Sequence, residues 1–435
     1  MIVLGGLSGK WARSQMEITS TENSGVIKTC VRGDQAGKWL GRATVAAVAI
    51  VPLIIFPGID RPFSTPKTIL IGAFVLLAGI FGVLSGRLNR PKLPVLFLVS
   101  LAAFVSAQMF SSFFGEFLSH KLLWLNASCI GWFFLVLSNR SNALHMAIAM
   151  ILACAVIAFI ALLQSFGLDP FSVFGLSTSW HDSPRMKVFG TLGNPNFVAA
   201  ILVPGIFLSV SLGRIIKKRA LFFCLGALIV LGVLATGSKA GVLGIISALL
   251  WLGMLKRLAV RRIILAGVLL TVVMVLFMQS RSLTTTMAGR FYIWKVSASH
   301  LLERPLSGHG PGAFEPKFIE WETQYWRDGK GVAEEKEFAG IQKHAHNDYL
   351  ETIVESGFPG FIGFISLLLT FFLFTFRQAA NGGELVAGAS AGMMALASIA
   401  MIDFPFHRPA ALFFAWTLIA IVFLESYNCR RTAKG

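Results

Sequence analysis

Acidic residues are scarce in this chain: 21 Asp and Glu face 38 Lys and Arg, and charged residues of either sign fill only 14% of 435 positions. Soluble domains carry roughly a quarter, so a soluble globular fold is excluded. Cysteine is nearly absent as well. The five, Cys30, Cys129, Cys154, Cys224 and Cys429, form no CxxC pair, which argues against a disulfide framework or a cysteine-held metal. A GxxxxGK[ST] phosphate loop is missing too, and with it the usual device of ATP-driven transport.

What the chain has instead is hydrocarbon, 55% of its residues. A bilayer core of roughly 30 Å takes about 20 apolar residues per helix. Twelve stretches approach that length, near 43–58, 68–86, 93–110, 121–138, 143–167, 196–212, 220–236, 240–255, 263–279, 357–376, 385–403 and 409–425. The expected fold is therefore all-α, a polytopic membrane protein of about 12 transmembrane helices.

The formal charge of +17 suggests nucleic acid only until its positions are read. Clusters such as Arg87/Arg90/Lys92, Arg214/Lys217/Lys218/Arg219, Lys256/Arg257/Arg261/Arg262 and Arg430/Arg431/Lys434 follow every second span. The intervening short loops carry only Arg61/Lys67, Lys121, Arg185/Lys187, Lys239 and Arg408. That asymmetry is a topology signal with both termini cytoplasmic, and no nucleic-acid partner is expected. Residues 1–40 read as a polar cytoplasmic tail without a signal-peptide pattern, and 426–435 as a basic one.

The division expected is 41–279 for spans one to nine, 280–356 for one large outer loop forming a small subdomain, and 357–425 for the last three spans. Within that loop, Phe291, Trp294, Val296, Ala298 and Leu301 sit at helical spacing, as in an amphipathic helix on the membrane surface. SGHGPGAF must turn, and the aromatic, acidic stretch after it reads as a helix with a polar face. Trp180, Phe291, Tyr292, Trp294, Trp321, Tyr325 and Trp326 suit either sugar stacking or an interfacial belt.

Titratable residues collect at the outer edge, where charges tend to line cavities because a bilayer disfavours them by roughly 2.5–3.5 kcal/mol on insertion scales. HAHNDYLETIVESGFPG, from His344 to Gly360, places two histidines, Asn347 and Asp348 directly before a span. Imidazole, with an ordinary pKa of about 6.5, suits proton transfer from a hydroxyl, and His346 is the candidate base. Asp348 either orients an imidazole or caps the helix. His-x-His-x-Asp also has the look of a zinc motif, but no third histidine or cysteine follows closely, so a metal-free reading is preferred. Glu351 and Glu355 resemble a carboxylate pair, yet acids in a first helical turn are more often structural. Asn194, in the GNPN turn, is a helix-cap candidate. Arg185, Lys239 and Arg290, on three separate outer loops, would make a phosphate pocket if the fold gathers them; each alone could merely snorkel to headgroups.

These residues together support a resemblance. HAHNDYLETIVESGFPG resembles the signature block of the O-antigen ligase and Wzy-type polymerase superfamily, and RMKVFGTLGNPNFVAA, TGSKAG and GRFYIW through PLSGHGPGAF follow the family's order over about 40–425. The resemblance implies a GT-C-like membrane glycosyltransferase in the bacterial inner membrane, its site periplasmic, needing neither cofactor nor metal. It implies transfer, with inversion, of a glycan from undecaprenyl diphosphate to an acceptor hydroxyl. His346 matches the catalytic histidine, and Arg185 and Arg290 match basic positions that hold the diphosphate. His344, Asn347, Asp348 and Asn194 would support them. Lys239 departs from the pattern, which commonly has arginine there. The acceptor expected is lipid A-core oligosaccharide, as in a ligase; a growing glycan, as in a polymerase, or a protein hydroxyl are the alternatives. A transporter or flippase is the rival of another class, disfavoured because the polar residues lie at one face and no internal repeat is evident.

Overall fold

In a computed structural model, the protein is described over residues 37–86, 88–172, 187–257, 281–379 and 383–432. The regular structure among those residues is all helical, with no strand. The helices are α1 (37–50), α2 (Thr65–Leu84), α3 (Val95–Phe114), α4 (His120–Ser138), α5 (Ala143–Ser165), α6 (Pro195–Ile215), α7 (Arg219–Thr236), α8 (Lys239–Leu255), α9 (Arg281–Ala298), α10 (Phe314–Arg327), α11 (Asp348–Ala379), α12 (Glu384–Ile399) and α13 (Pro409–Thr432).

Eight of these are long and apolar enough to cross a membrane, and α8 and α12 are shorter apolar helices. All ten coincide with expected spans. The stretch 43–58 is helical only to residue 50 before a short 3-10 turn at Val51–Leu53, and 263–279 lies outside the described residues. Helix α13 is the central one, with 89% of its apolar window buried, whereas α2, α3 and α7, at 28%, face outward. Inside the bundle, Trp132 Nε1 donates to Thr417 Oγ1 (3.0 Å) and Trp251 Nε1 to Ser390 Oγ (3.1 Å). Small hydroxyl side chains thus cross-link helices where water cannot.

At one end of the bundle sits a helical subdomain with its own core. Tyr292, Ile293 and Val296 of α9 pack on Phe314, Phe318, Trp321 and Tyr325 of α10, with Ala345 and Val354 beneath them. This corrects the surface-helix reading of α9: its buried face is 292/293/296, covered by α10, while Phe291 is exposed. Buried Tyr292, Trp321 and Tyr325 are likewise core residues and not sugar-stacking platforms.

Helix α11 is broken at Gly357, which has φ 63° and ψ −175°. A side chain there would be strained, and a Cβ would sit 2.7 Å from the Leu306 and Pro305 carbonyl oxygens. The break frees the Val354 and Glu355 carbonyls, because Phe358 has turned away and Pro359 has no N–H. The glycine-rich loop 305–312 fills both sides of the gap. His309 N donates to Val354 O (2.8 Å), Gly310 N to Glu355 O (2.9 Å), and Phe358 N to Pro305 O (2.8 Å). The same loop also clasps the α3–α4 turn, since Glu116 N and Phe117 N donate to His309 O and Ser119 N to Pro311 O. Glu116 then pairs with Lys317 (2.6 Å) and Arg304 (2.8 Å).

Gly310 is where this splint is tightest: φ is 104°, and an added Cβ would overlap the Phe117 carbonyl oxygen. Gly310→Ala should therefore lower stability by about 1–3 kcal/mol. Gly79→Ala, in α2 where a Cβ meets nothing within 4 Å, should be neutral or stabilising. Thermal unfolding of both variants in detergent checks this; equal midpoints would remove the splint from the account of the fold.

Candidate functional site

The histidine segment 344–347 ends at α11, and its side chains diverge at once. Asn347, not Asp348, caps the helix: its Oδ1 accepts from Tyr349 N and Leu350 N, both 3.0 Å. Asp348 does orient an imidazole, but that of His407: its Oδ2 accepts from Phe406 N (2.9 Å) and its Oδ1 bonds His407 Nδ1. His344 turns inward, its Nδ1 2.7 Å from Glu351 Oε1, with its ring stacked on Phe404 at 4.1 Å. Burial pushes this imidazole's pKa down, and the Glu351 carboxylate only partly restores it.

His346 faces a different partner. Its Nδ1 is 3.7 Å from Asp403 Oδ1, and the ring meets Phe404 edge-on at 5.0 Å. Its side chain is 34% exposed while that of Asp403 is 3%, so one edge of the ring looks at the carboxylate and the other is open. The backbone of His346 is left-handed, φ 50°, a conformation that a non-glycine residue holds only when its surroundings impose it. Here they do: Ala345 N donates to Glu351 Oε2 (2.8 Å) on one side and Asn347 caps α11 on the other.

Arg290, on α9, approaches the same aspartate. Its Nη2 is 4.0 Å from Asp403 Oδ2, and both side chains are buried. Burial alone would push the Asp403 carboxyl up, but the facing His346 and the Arg290 charge hold it below the ordinary range. His346, Asp403 and Arg290 thus form a unit whose 3.7 and 4.0 Å separations are longer than hydrogen bonds. Such gaps are common where a site closes on its ligand.

A second unit lies just beneath. His407, from the short helix Pro405–His407, points among Asp348, Glu351 (3.7 Å) and Glu355 (3.5 Å), all buried. Burial lowers its pKa, but the carboxylates outweigh this and raise it well above the ordinary imidazole value. Glu355 Oε1 also accepts from Gly312 N (2.8 Å) of the splint. Glu351, Glu355 and His407 each bring one ligand atom within 4.8 Å of the others, a spacing a divalent cation could use. The His-x-His-x-Asp pattern itself does not converge, because its three side chains serve three different partners. Nor are Glu351 and Glu355 simple dipole-facing acids; they share the His407 imidazole.

Two of the remaining residues, Asn194 and Lys239, belong to turns that are tied together. Asn194 caps α6, its Oδ1 accepting from Asn196 N (2.9 Å). Asn196 Oδ1 accepts from Ser238 Oγ (2.8 Å), which joins the GNPN turn to the TGSKAG turn and puts Lys239 at the start of α8. Phe197, the next residue, lies 5.4 Å edge-on to Phe404. Arg185 lies outside the described residues. Asp403, Phe404, His407 and Arg408 were not expected as site residues, because Asp403 ends an oily stretch and looked like the last residue of a span, and Arg408 served only as a topology charge. The signal was present in DFPFHRP, an acid, a base and an imidazole set between two apolar helices.

Residues 224–365, about a third of the chain, match the family model described as O-Antigen ligase, which supports the likeness to the O-antigen ligase and Wzy-type superfamily. No curated protein matches the chain.

Proposed function

From that family match, we propose that this membrane protein is an O-antigen ligase, transferring a glycan from undecaprenyl diphosphate to a hydroxyl of lipid A-core oligosaccharide with inversion. The observation that carries this reading is the His346–Asp403–Arg290 unit at the end of the bundle, an open imidazole edge beside a buried carboxylate and a guanidinium.

In this mechanism Asp403 holds the His346 ring with Nδ1 as donor, leaving Nε2 to accept the proton of the incoming hydroxyl. The oxygen attacks the anomeric carbon in line, the bond to the diphosphate breaks, and Arg290, Arg185 and Lys239 stabilise the charge that develops on the leaving group. Arginine's planar fork suits two phosphate oxygens, while Lys239 acts as a point charge. His344, Asn347, Asp348 and Asn194 hold the frame. The loop charge asymmetry supports a periplasmic site with both termini cytoplasmic.

Purified protein in lipid vesicles, given undecaprenyl-diphosphate-linked glycan and each acceptor in turn, tests the reading. A ligase yields one product of fixed size on lipid A-core. A ladder of longer lipid-linked glycans identifies a polymerase instead, modification of a protein hydroxyl an oligosaccharyltransferase, and no transfer to any acceptor removes the transferase reading.

A further inference from the structure

We propose that Arg408 is a diphosphate-binding residue of this site, presenting its guanidinium edge to the phosphate oxygens of the lipid-linked donor. The inference rests on the transferase reading above and assigns a ligand contact to a residue outside the superfamily pattern described.

Arg408 follows His407 directly, but the two side chains serve different neighbours. His407 is turned in among the carboxylates, whereas the Arg408 guanidinium lies over Phe197 at 4.1 Å and Phe404 at 4.4 Å from the ring centroids. The two rings attract the cation through its faces and fix its orientation. They leave its edge, which carries five N–H donors in a fork, without acceptors. Among the described residues no carboxylate lies within ion-pair distance of it, no hydrogen bond is made by its side chain, and Nε is buried without a partner.

A half-buried cation with an unused planar fork is costly unless an anion completes it. The geometry selects the class of that anion. Two parallel donors held in a plane fit the paired oxygens of a phosphate or diphosphate better than a single carbonyl. Location selects the site. Phe404, one of the two supporting rings, also touches both His344 and His346, so an anion at the Arg408 edge lies beside the proposed base. Asp403, Glu351 and Asp348 lie near enough to offset part of the Arg408 charge and Arg61 to add to it, but none of the three carboxylates reaches the guanidinium edge, which stays open to an anion. Phe197 comes from the GNPNF turn, which explains why that turn is tied so closely to the site.

The test compares wild type, Arg408→Gln and Arg408→Lys, each full length in nanodiscs and matched for thermal unfolding. The probes are undecaprenyl diphosphate, undecaprenol and phosphatidylglycerol. Arg408→Gln should bind undecaprenyl diphosphate about tenfold more weakly or worse, with undecaprenol binding unchanged. Arg408→Lys should fall between, because it keeps the charge and loses the fork. Unchanged undecaprenyl diphosphate affinity in folded Arg408→Gln overturns the inference while leaving the transferase reading intact. Loss of phosphatidylglycerol retention alone would assign Arg408 to bulk headgroups and overturn it as well. If wild type fails to prefer undecaprenyl diphosphate over undecaprenol, the donor reading itself falls, and this inference with it.

Discussion

His346→Ala is expected to lower glycan transfer by about 10²–10⁴-fold while leaving the protein inserted, folded and able to bind its donor. The size follows from the loss of a positioned proton acceptor, the role the open ring edge supports. Retained folding follows from the contacts: the ring is 34% exposed and, among the described residues, its polar contact is with Asp403 at 3.7 Å, so the truncation leaves little buried surface unfilled. Asp403→Asn is the informative companion. It keeps the shape and the bond from Phe404 N to Oδ1 (2.9 Å) but removes the charge facing both His346 and Arg290. Its expected signature is a fall in kcat with a small change in donor KM and an altered pH profile of kcat, as befits a positioning residue. Full transfer by His346→Ala would end the proposed mechanism, whatever Asp403→Asn does.

The two units of the site were unequally legible in the sequence. Hydropathy located ten of the helices because burial in a bilayer demands runs of apolar residues, whatever their neighbours. The HAHND segment stood out because polar residues before a span have few ordinary reasons to be there. The partners of each histidine were invisible, since they depend on how the loop 400–408 folds back on α11 through Asp348 N to Ala400 O (2.9 Å). A carboxylate at the end of a span looks the same in sequence whether it faces water or a catalytic ring. The helix break at Gly357 was also hidden. The sequence offered a helix start at Asp348 and a span from 357, but nothing in GFPG told a continuous helix from one broken at Gly357, and only the splint 305–312 makes a break there tolerable.

His407 gives the sharpest separation of folding from chemistry, and the second large effect. Among the described residues it lies within 4 Å of three buried carboxylates, Asp348, Glu351 and Glu355. Removing one partner of a buried charge cluster typically destabilises by about 3–5 kcal/mol, so His407→Ala should unfold far below wild type, unlike His346→Ala. The pH dependence has a definite sign. The folded-state pKa of His407 lies well above the ordinary imidazole value, the carboxylates outweighing burial. Its contribution to stability is therefore complete below about pH 6.5, the unfolded value, and fades as pH rises through the folded value. Thermal unfolding of wild type and His407→Ala should accordingly differ most between mildly acid and neutral pH and converge on the alkaline side. A gap that stays constant across that range would mean that His407 acts by packing alone and that the carboxylates are neutralised some other way.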